Sequence, residues 1–130
     1  MKLLGIDYGD KKIGLAKSAG KTAVPLLILK NENDDDLLKK MREVCHQEDI
    51  EKIVIGVPVG NQKTATDQEL KTQAFVKFIK EKFDIPVDTI DERMTSRMAE
   101  RFGRGMVEGS NDDAFAAMLI LQNYIDKKNV

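Results

Sequence analysis

The sequence contains one cysteine, Cys45, and no tryptophan, and only 5% of its residues are aromatic. A lone cysteine excludes an intramolecular disulfide framework and a cysteine-based zinc ribbon. His46 is the sole histidine, so Ser-His-Asp or Cys-His catalysis would rest on one residue with no surrounding motif. No apolar run approaches the ~18 residues that a membrane-spanning helix needs. Charge is balanced as well: 21 basic against 22 acidic residues leave a net −1. That balance argues against a general polyanion binder, so any nucleic-acid contact must come from a local basic patch. The opening Met1-Lys2-Leu3-Leu4 runs straight into Asp7 and Asp10 with no apolar signal region, and the expected location is the cytoplasm. Internal repeats, low-complexity tracts and Pro/Gly/Ser linkers are missing too. With 42% apolar and 33% charged residues over 130 positions, the chain reads as one folded domain spanning 1–130.

What is there is a sequence of short elements. Apolar segments at 2–8 and 13–18 flank the turn-type junction Gly9-Asp10-Lys11-Lys12, and a third at 22–30 follows Gly20-Lys21. Such short links join antiparallel neighbours. Asn33 can cap a helix whose apolar positions Leu37, Leu38, Met41 and Val44 or Cys45 keep helical spacing. The run 53–57, nearly continuous in apolar residues and ending at Pro58, reads as a buried parallel strand. A second helix carries Leu70, Ala74, Phe75, Phe78 and Ile79, and 86–90 is a fifth strand. A short helix is expected between Thr95 and Gly103–Gly105, and an apolar final helix over 111–127. The predicted class is α/β: a mixed five-stranded sheet, antiparallel in its first three strands, with helices packed on it. This order is that of the ribonuclease H-like fold, and also of half of the actin-like ATPase fold. The second would need a duplicated domain to enclose a nucleotide, for which the chain has no room.

Three acidic residues sit where a core would not place them. Asp7 closes the run Leu3-Leu4-Gly5-Ile6, although aspartate is depleted in strands and an uncompensated buried carboxylate costs several kcal/mol. It is either an anchor for the turn at Gly9 or a ligand. Glu92 ends the fifth strand in Thr89-Ile90-Asp91-Glu92-Arg93, at the end where open α/β sheets place their sites. Its alternative is an ion pair with Arg93, and Asp91 is a near-equal candidate because adjacent strand residues face opposite sides. Asp113 opens the last helix on the same repeat as Ala116, Ala117, Ile120, Leu121 and Tyr124, which turns it toward the sheet, while Asp112 rotates away. The competing reading is a cap, since Ser110-Asn111-Asp112-Asp113 fits a capping box. Together the three carboxylates converge near the sheet centre and cannot comfortably ionise side by side. Divalent cations relieve that repulsion, and oxygen-only ligation suits Mg²⁺ or Mn²⁺. A pair of such ions is the apparatus of phosphodiester hydrolysis.

Arg97, Arg101 and Arg104 recur at helical spacing after Arg93, next to an apolar stripe of Met94, Met98 and Phe102. The row is either a solvated face or a phosphate-contacting one, to which Lys11 and Lys12 beside Asp7 would add. Asp34, Asp35 and Asp36 are first-turn helix acids. Gly56 and Gly60 allow packing or a turn, since the lysine pattern of a phosphate loop is missing. The segment 62–66 is a polar loop.

The pattern then becomes recognisable. Gly5-Ile6-Asp7-Tyr8-Gly9, Lys12-Ile13-Gly14-Leu15-Ala16, Ile55-Gly56-Val57-Pro58, Asp91-Glu92-Arg93-Met94-Thr95, and Asp113 with Ala116-Ala117 and Ile120-Leu121-Gln122-Asn123-Tyr124 resemble the YqgF/RuvX family, over residues 3 to 124. These ribonuclease H-like bacterial proteins carry the names Holliday junction resolvase and pre-16S ribosomal RNA nuclease. The resemblance implies a divalent-metal-dependent nuclease acting on structured nucleic acid, with Asp7, Glu92 and Asp113 as metal-binding acids and Lys11, Lys12, Arg93, Arg97 and Arg101 as phosphate contacts. Maturation of the 5′ end of pre-16S rRNA is the leading expectation. Junction resolution, which requires a two-fold dimer, and non-catalytic RNA binding in ribosome assembly are the alternatives, and monomer or homodimer stays open. Two departures stand out: Asp10 replaces a small or hydroxyl residue, and 105–111 is short and carries Glu108 where the family often has Lys or Arg.

Overall fold

The computed structural model describes residues 1–58, 66–91 and 112–128, with side chains in the last segment from 114 onward. The described elements, in chain order, are β1 (Leu3–Asp7), β2 (Lys12–Ser18), β3 (Ala23–Lys30), α1 (Asp34–Gln47), β4 (Lys52–Val57), α2 (Asp67–Lys82), β5 (Val87–Asp91) and α3 (Asp112–Lys128). The strands form one sheet in the order β3-β2-β1-β4-β5. β1, β2 and β3 pair antiparallel, and β1-β4 and β4-β5 pair parallel. This is the mixed five-stranded sheet that the sequence predicts. The short helix expected after Thr95 and the loop 62–66 fall mostly on residues outside those described.

Local chemistry accounts for the element ends. Asn33 caps α1, its side-chain oxygen accepting from the amides of Asp35 at 2.9 Å and Asp36 at 3.2 Å. The three aspartates then occupy the positive end of the helix dipole, where acids are stabilising. Thr66 caps α2 by accepting from the Glu69 amide at 3.2 Å. Asp49, with φ of 53°, turns the chain from α1 toward β4 in the left-handed region that aspartate tolerates better than most residues.

The sheet buries two faces. On one, Leu4, Ile6, Ile13, Leu15, Ile53 and Ile55 pack under α1 and α2 through Leu37, Met41, Phe75 and Ile79. On the other, Leu3, Ala16, Val54 and Ile90 pack under α3 through Ala117, Ile120, Leu121 and Tyr124. The continuous apolar character of β1 and β4 follows from burial on both sides. The predicted stripe of α3 holds except at Ala116, which stays half-buried, while Leu119 and Ile125 join the core. A helix apolar almost all round buries a wide arc, and spacing alone does not fix its centre. No described helix is long and apolar enough to cross a membrane.

Two glycines set the distance between α3 and the sheet. A Cβ on Gly5 would lie 2.8 Å from Leu121 Cβ and 3.0 Å from the Ala117 carbonyl oxygen. One on Gly56 would lie 2.5 Å from Ile120 Cδ1. At its other end α3 is tied to β5, where the Tyr124 hydroxyl donates to Asp88 Oδ2 at 2.8 Å with Lys52 above the ring. Partial burial pushes the Asp88 carboxyl up, but the Tyr124 hydroxyl, the Thr89 amide and the Lys52 charge outweigh it and hold it below its ordinary range.

Gly5→Ala should therefore lower stability by about 1–3 kcal/mol, since a backbone carbonyl and a buried Cβ must move; an unchanged urea midpoint would refute the close approach. Tyr124→Phe should cost about 1 kcal/mol at pH 7. Because Asp88 titrates lower when folded, its contribution is complete above the ordinary aspartate range and fades as pH falls through the depressed value. The difference between wild type and Tyr124→Phe should shrink in acid denaturation series and stay constant from pH 6 to 8.

Candidate active site

Asp7 is the last residue of β1 and is half-buried. Its side is fixed by alternation along the strand. Leu3 packs among the α3 residues and Gly5 lies against Ala117 and Leu121, so Asp7 belongs to the α3 face. Within the sheet it pairs with Gly14 of β2. The helix runs back along the strands: Lys52 near the start of β4 lies over Tyr124, whereas Gly56 near its end meets Ile120. From Gly5 to Asp7 the strand advances about 7 Å, and from residue 117 back to 113 the helix retreats about 6 Å. Asp7 thus lies toward the first turn of α3, the turn that contains Asp113. The positive end of that helix dipole favours a carboxylate there.

Asp91 ends β5 on the other face. It pairs in register with Val57, which packs on the α1/α2 side, and shares a depression with Val57, Gln73 and Val76. Its neighbour Ile90 and, two residues earlier, Asp88 face α3. Asp7 and Asp91 are therefore on opposite sides of the sheet. Glu92, Arg93, Arg97, Arg101 and Arg104 lie outside the described residues, as do the side chains of Asp112 and Asp113. Among the described residues no three His, Cys, Asp or Glu side chains converge as a metal site. Asp7 is the one predicted ligand whose side chain the structure describes, and its carboxylate is a hard oxygen donor suited to Mg²⁺ or Mn²⁺.

The turn beside Asp7 is braced from both sides. Asn31 donates through Nδ2 to the Gly9 carbonyl at 2.8 Å and through its backbone amide to the Lys11 carbonyl at 2.8 Å. A Cβ at Gly9 would fall 2.5 Å from the Lys12 carbonyl oxygen, so only glycine lets the turn close this tightly. Lys11 and Lys12 are exposed. Asp10 forms an ion pair with Lys71 of α2, Nζ to Oδ1 at 3.3 Å. It reaches toward the helix layer opposite α3, which disfavours its use as an extra ligand beside Asp7. Sequence reasoning missed this partner because the two residues are 61 positions apart. His46 is exposed on α1, in the layer opposite α3, and Cys45 next to it is half-buried. Neither joins Asp7.

These features match a known family. The family described as RuvX, Holliday junction resolvase, matches residues 1–127. The chain belongs to the RuvX family. Relatives named "Putative pre-16S rRNA nuclease" include one from Syntrophomonas wolfei, 36% identical with 97% of this chain and 94% of the relative covered. One from Streptococcus mutans is 36% identical with 98% and 99% covered. Among solved structures, Thermus thermophilus RuvC superposes with a TM-score of 0.65 at 16% identity, covering 99% of this chain and 96% of that one. The fowlpox virus Holliday junction resolvase gives 0.57 at 13%, covering 98% and 99%. The shared architecture is the ribonuclease H-like fold, as the order of elements predicts.

Burial pushes the Cys45 thiol up to about 11. Its reaction with a thiol reagent in the folded protein should therefore be slow at pH 8 and rise close to tenfold per pH unit up to pH 10. Labelling at the rate of a free thiol would show that Cys45 does not pack against the apolar cluster beneath α1.

Proposed function

We propose that this protein is a divalent-metal-dependent nuclease that hydrolyses phosphodiester bonds in structured RNA, with the 5′ end of pre-16S rRNA as its substrate. The observation that carries the reading is the half-buried Asp7 at the end of β1, on the face of α3 and toward the helix turn that starts with Asp112 and Asp113. Family membership and the names of the relatives support the chemistry. Asp7, Glu92 and Asp113 would hold Mg²⁺ or Mn²⁺. Glu92 takes the role ahead of Asp91 because Asp91 lies on the opposite face from Asp7. When bound, the cations supply Lewis acidity, making a water a competent nucleophile and offsetting charge on the leaving oxygen.

The chain's own residues bind and orient. Lys11 and Lys12, exposed on a turn braced by Asn31, would meet phosphates flanking the cleaved bond, and Arg93, Arg97 and Arg101 would hold the strand beyond it. No side chain serves as a covalent nucleophile in this scheme. A single ribonuclease H-like domain over 1–130 suffices for it. A second reading, resolution of branched DNA, is favoured by the description of the family, and it calls for a two-fold dimer making paired cuts.

Asp7→Asn should reduce cleavage of a pre-16S 5′ leader hairpin by more than about 100-fold and abolish Mn²⁺ binding by titration calorimetry, with the thermal melt of the protein preserved. Retained cleavage by the purified variant would overturn the proposal. Paired cutting of a four-way DNA junction, with the RNA hairpin left intact, would put the second reading in its place.

A further inference from the structure

On the side of the sheet away from Asp7, a groove of about 250 Å³ opens between the β1-β2 turn, α1 and α2. Its floor is aromatic and apolar. Tyr8 stacks on the buried Phe75, ring centroids 4.6 Å apart and planes tilted by 32°, and Phe78 and Leu37 complete it. Tyr8 and Phe78 are half-buried, so each keeps ring surface open to the groove. The rim is polar: Asn31 and Asp34 on one side, Lys71 on the other, with Lys71 held by Asp10 at 3.3 Å. The volume falls just under the roughly 300 Å³ at which pockets for drug-sized molecules begin, which is the scale of one flat heterocycle.

Asp7 and Tyr8 are consecutive residues with opposite orientations, one toward α3 and the other into the α1/α2 layer. The turn that joins the two faces carries the exposed Lys11 and Lys12. We propose that the groove takes one unpaired base of the nucleic acid, a few nucleotides from the cleaved bond, and so selects substrates with a single-stranded flank. The inference rests on the nuclease reading above. A strand with its phosphate at Asp7 passes over the lysine turn and turns one base onto Tyr8 and Phe78. Stacking on aromatic rings tolerates any base, because every base has a π-face, and duplex RNA cannot offer one without unpairing. Asp34, acceptor-only when ionised, faces the N–H groups of the base edge.

The test uses the full chain without metal, so that binding is read apart from cleavage. A short single-stranded RNA with 2-aminopurine, and the same RNA annealed to its complement, are titrated with wild type, Ala74→Met and Phe78→Leu. Ala74 is an exposed lining residue, so methionine there obstructs the groove without touching the core, and a thermal melt checks each fold. Wild type should bind the single strand at least about 10-fold tighter than the duplex, and each variant should lose about 5- to 10-fold on the single strand alone. With metal restored, KM for a leader with an unpaired flank should rise in Ala74→Met while kcat holds. Equal affinity of wild type and Ala74→Met for the single strand overturns the proposal, and leaves the nuclease reading standing if cleavage persists. A plug that spares RNA binding but blocks a lysine-rich aromatic peptide also overturns it, and assigns the groove to a protein partner. Tight groove-dependent RNA binding by a wild type that never cleaves would keep the base site and remove the nuclease reading.

Discussion

The contact between α3 and the middle of the sheet depends on the missing side chains of Gly5 and Gly56. With no Cβ at either place, the Ala117 carbonyl and the side chains of Ile120 and Leu121 come down onto β1 and β4. That approach decides what surrounds Asp7. A helix seated further out would leave the end of β1 in bulk water, where a carboxylate needs no partner and gathers none. Seated as it is, α3 brings the positive end of its dipole and its own acidic first turn toward Asp7. One packing constraint in the apolar core therefore supplies the electrostatics of the site.

The far end of α3 shows the same economy of means. Tyr124 is buried against the sheet with its hydroxyl on Asp88, while Lys52 and Lys128 each lie 5.5 Å from its ring centroid. A buried tyrosine that finds an acceptor offsets the desolvation of its hydroxyl, and the acceptor here belongs to the edge strand β5. Fixing the helix at two places along its length, 117–121 and Tyr124, defines its axial position on the sheet. Residue 113 cannot drift along β1 without breaking either the glycine contact or the Tyr124 hydrogen bond.

The second helix layer has a different role. α1 and α2 bury the larger apolar cluster, and α2 reaches the β1-β2 turn through the Tyr8-Phe75 stack and the Asp10-Lys71 pair. An exposed ion pair of this kind is worth little as stability. The turn itself is held by Asn31, through its bonds to the Gly9 and Lys11 carbonyls. The departure at Asp10 is thereby explained by a partner on α2, with no need for a role in ligation.

Much of this was legible in the sequence. Short apolar runs, the Asn33 cap, the turn at Gly9 and the long apolar final helix gave the order of the described elements, and the order gave the sheet. Asp7 stood out because a carboxylate closing a buried strand needs compensation wherever that strand lies. Periodicity says that neighbours alternate, however, and never which of them faces which layer. That is why the face that Asp91 takes was open until Val57, Ile90 and Asp88 had their places. Distances between residues far apart in the chain are equally silent in local pattern. The Asp10-Lys71 pair, the glycine clearance under α3 and the aromatic groove behind Asp7 all arise from packing across the sheet. The sequence alone determined the described elements and singled out the acid at the end of β1. Tertiary structure decided which face it serves and what lies behind it, because burial is a property of two surfaces meeting.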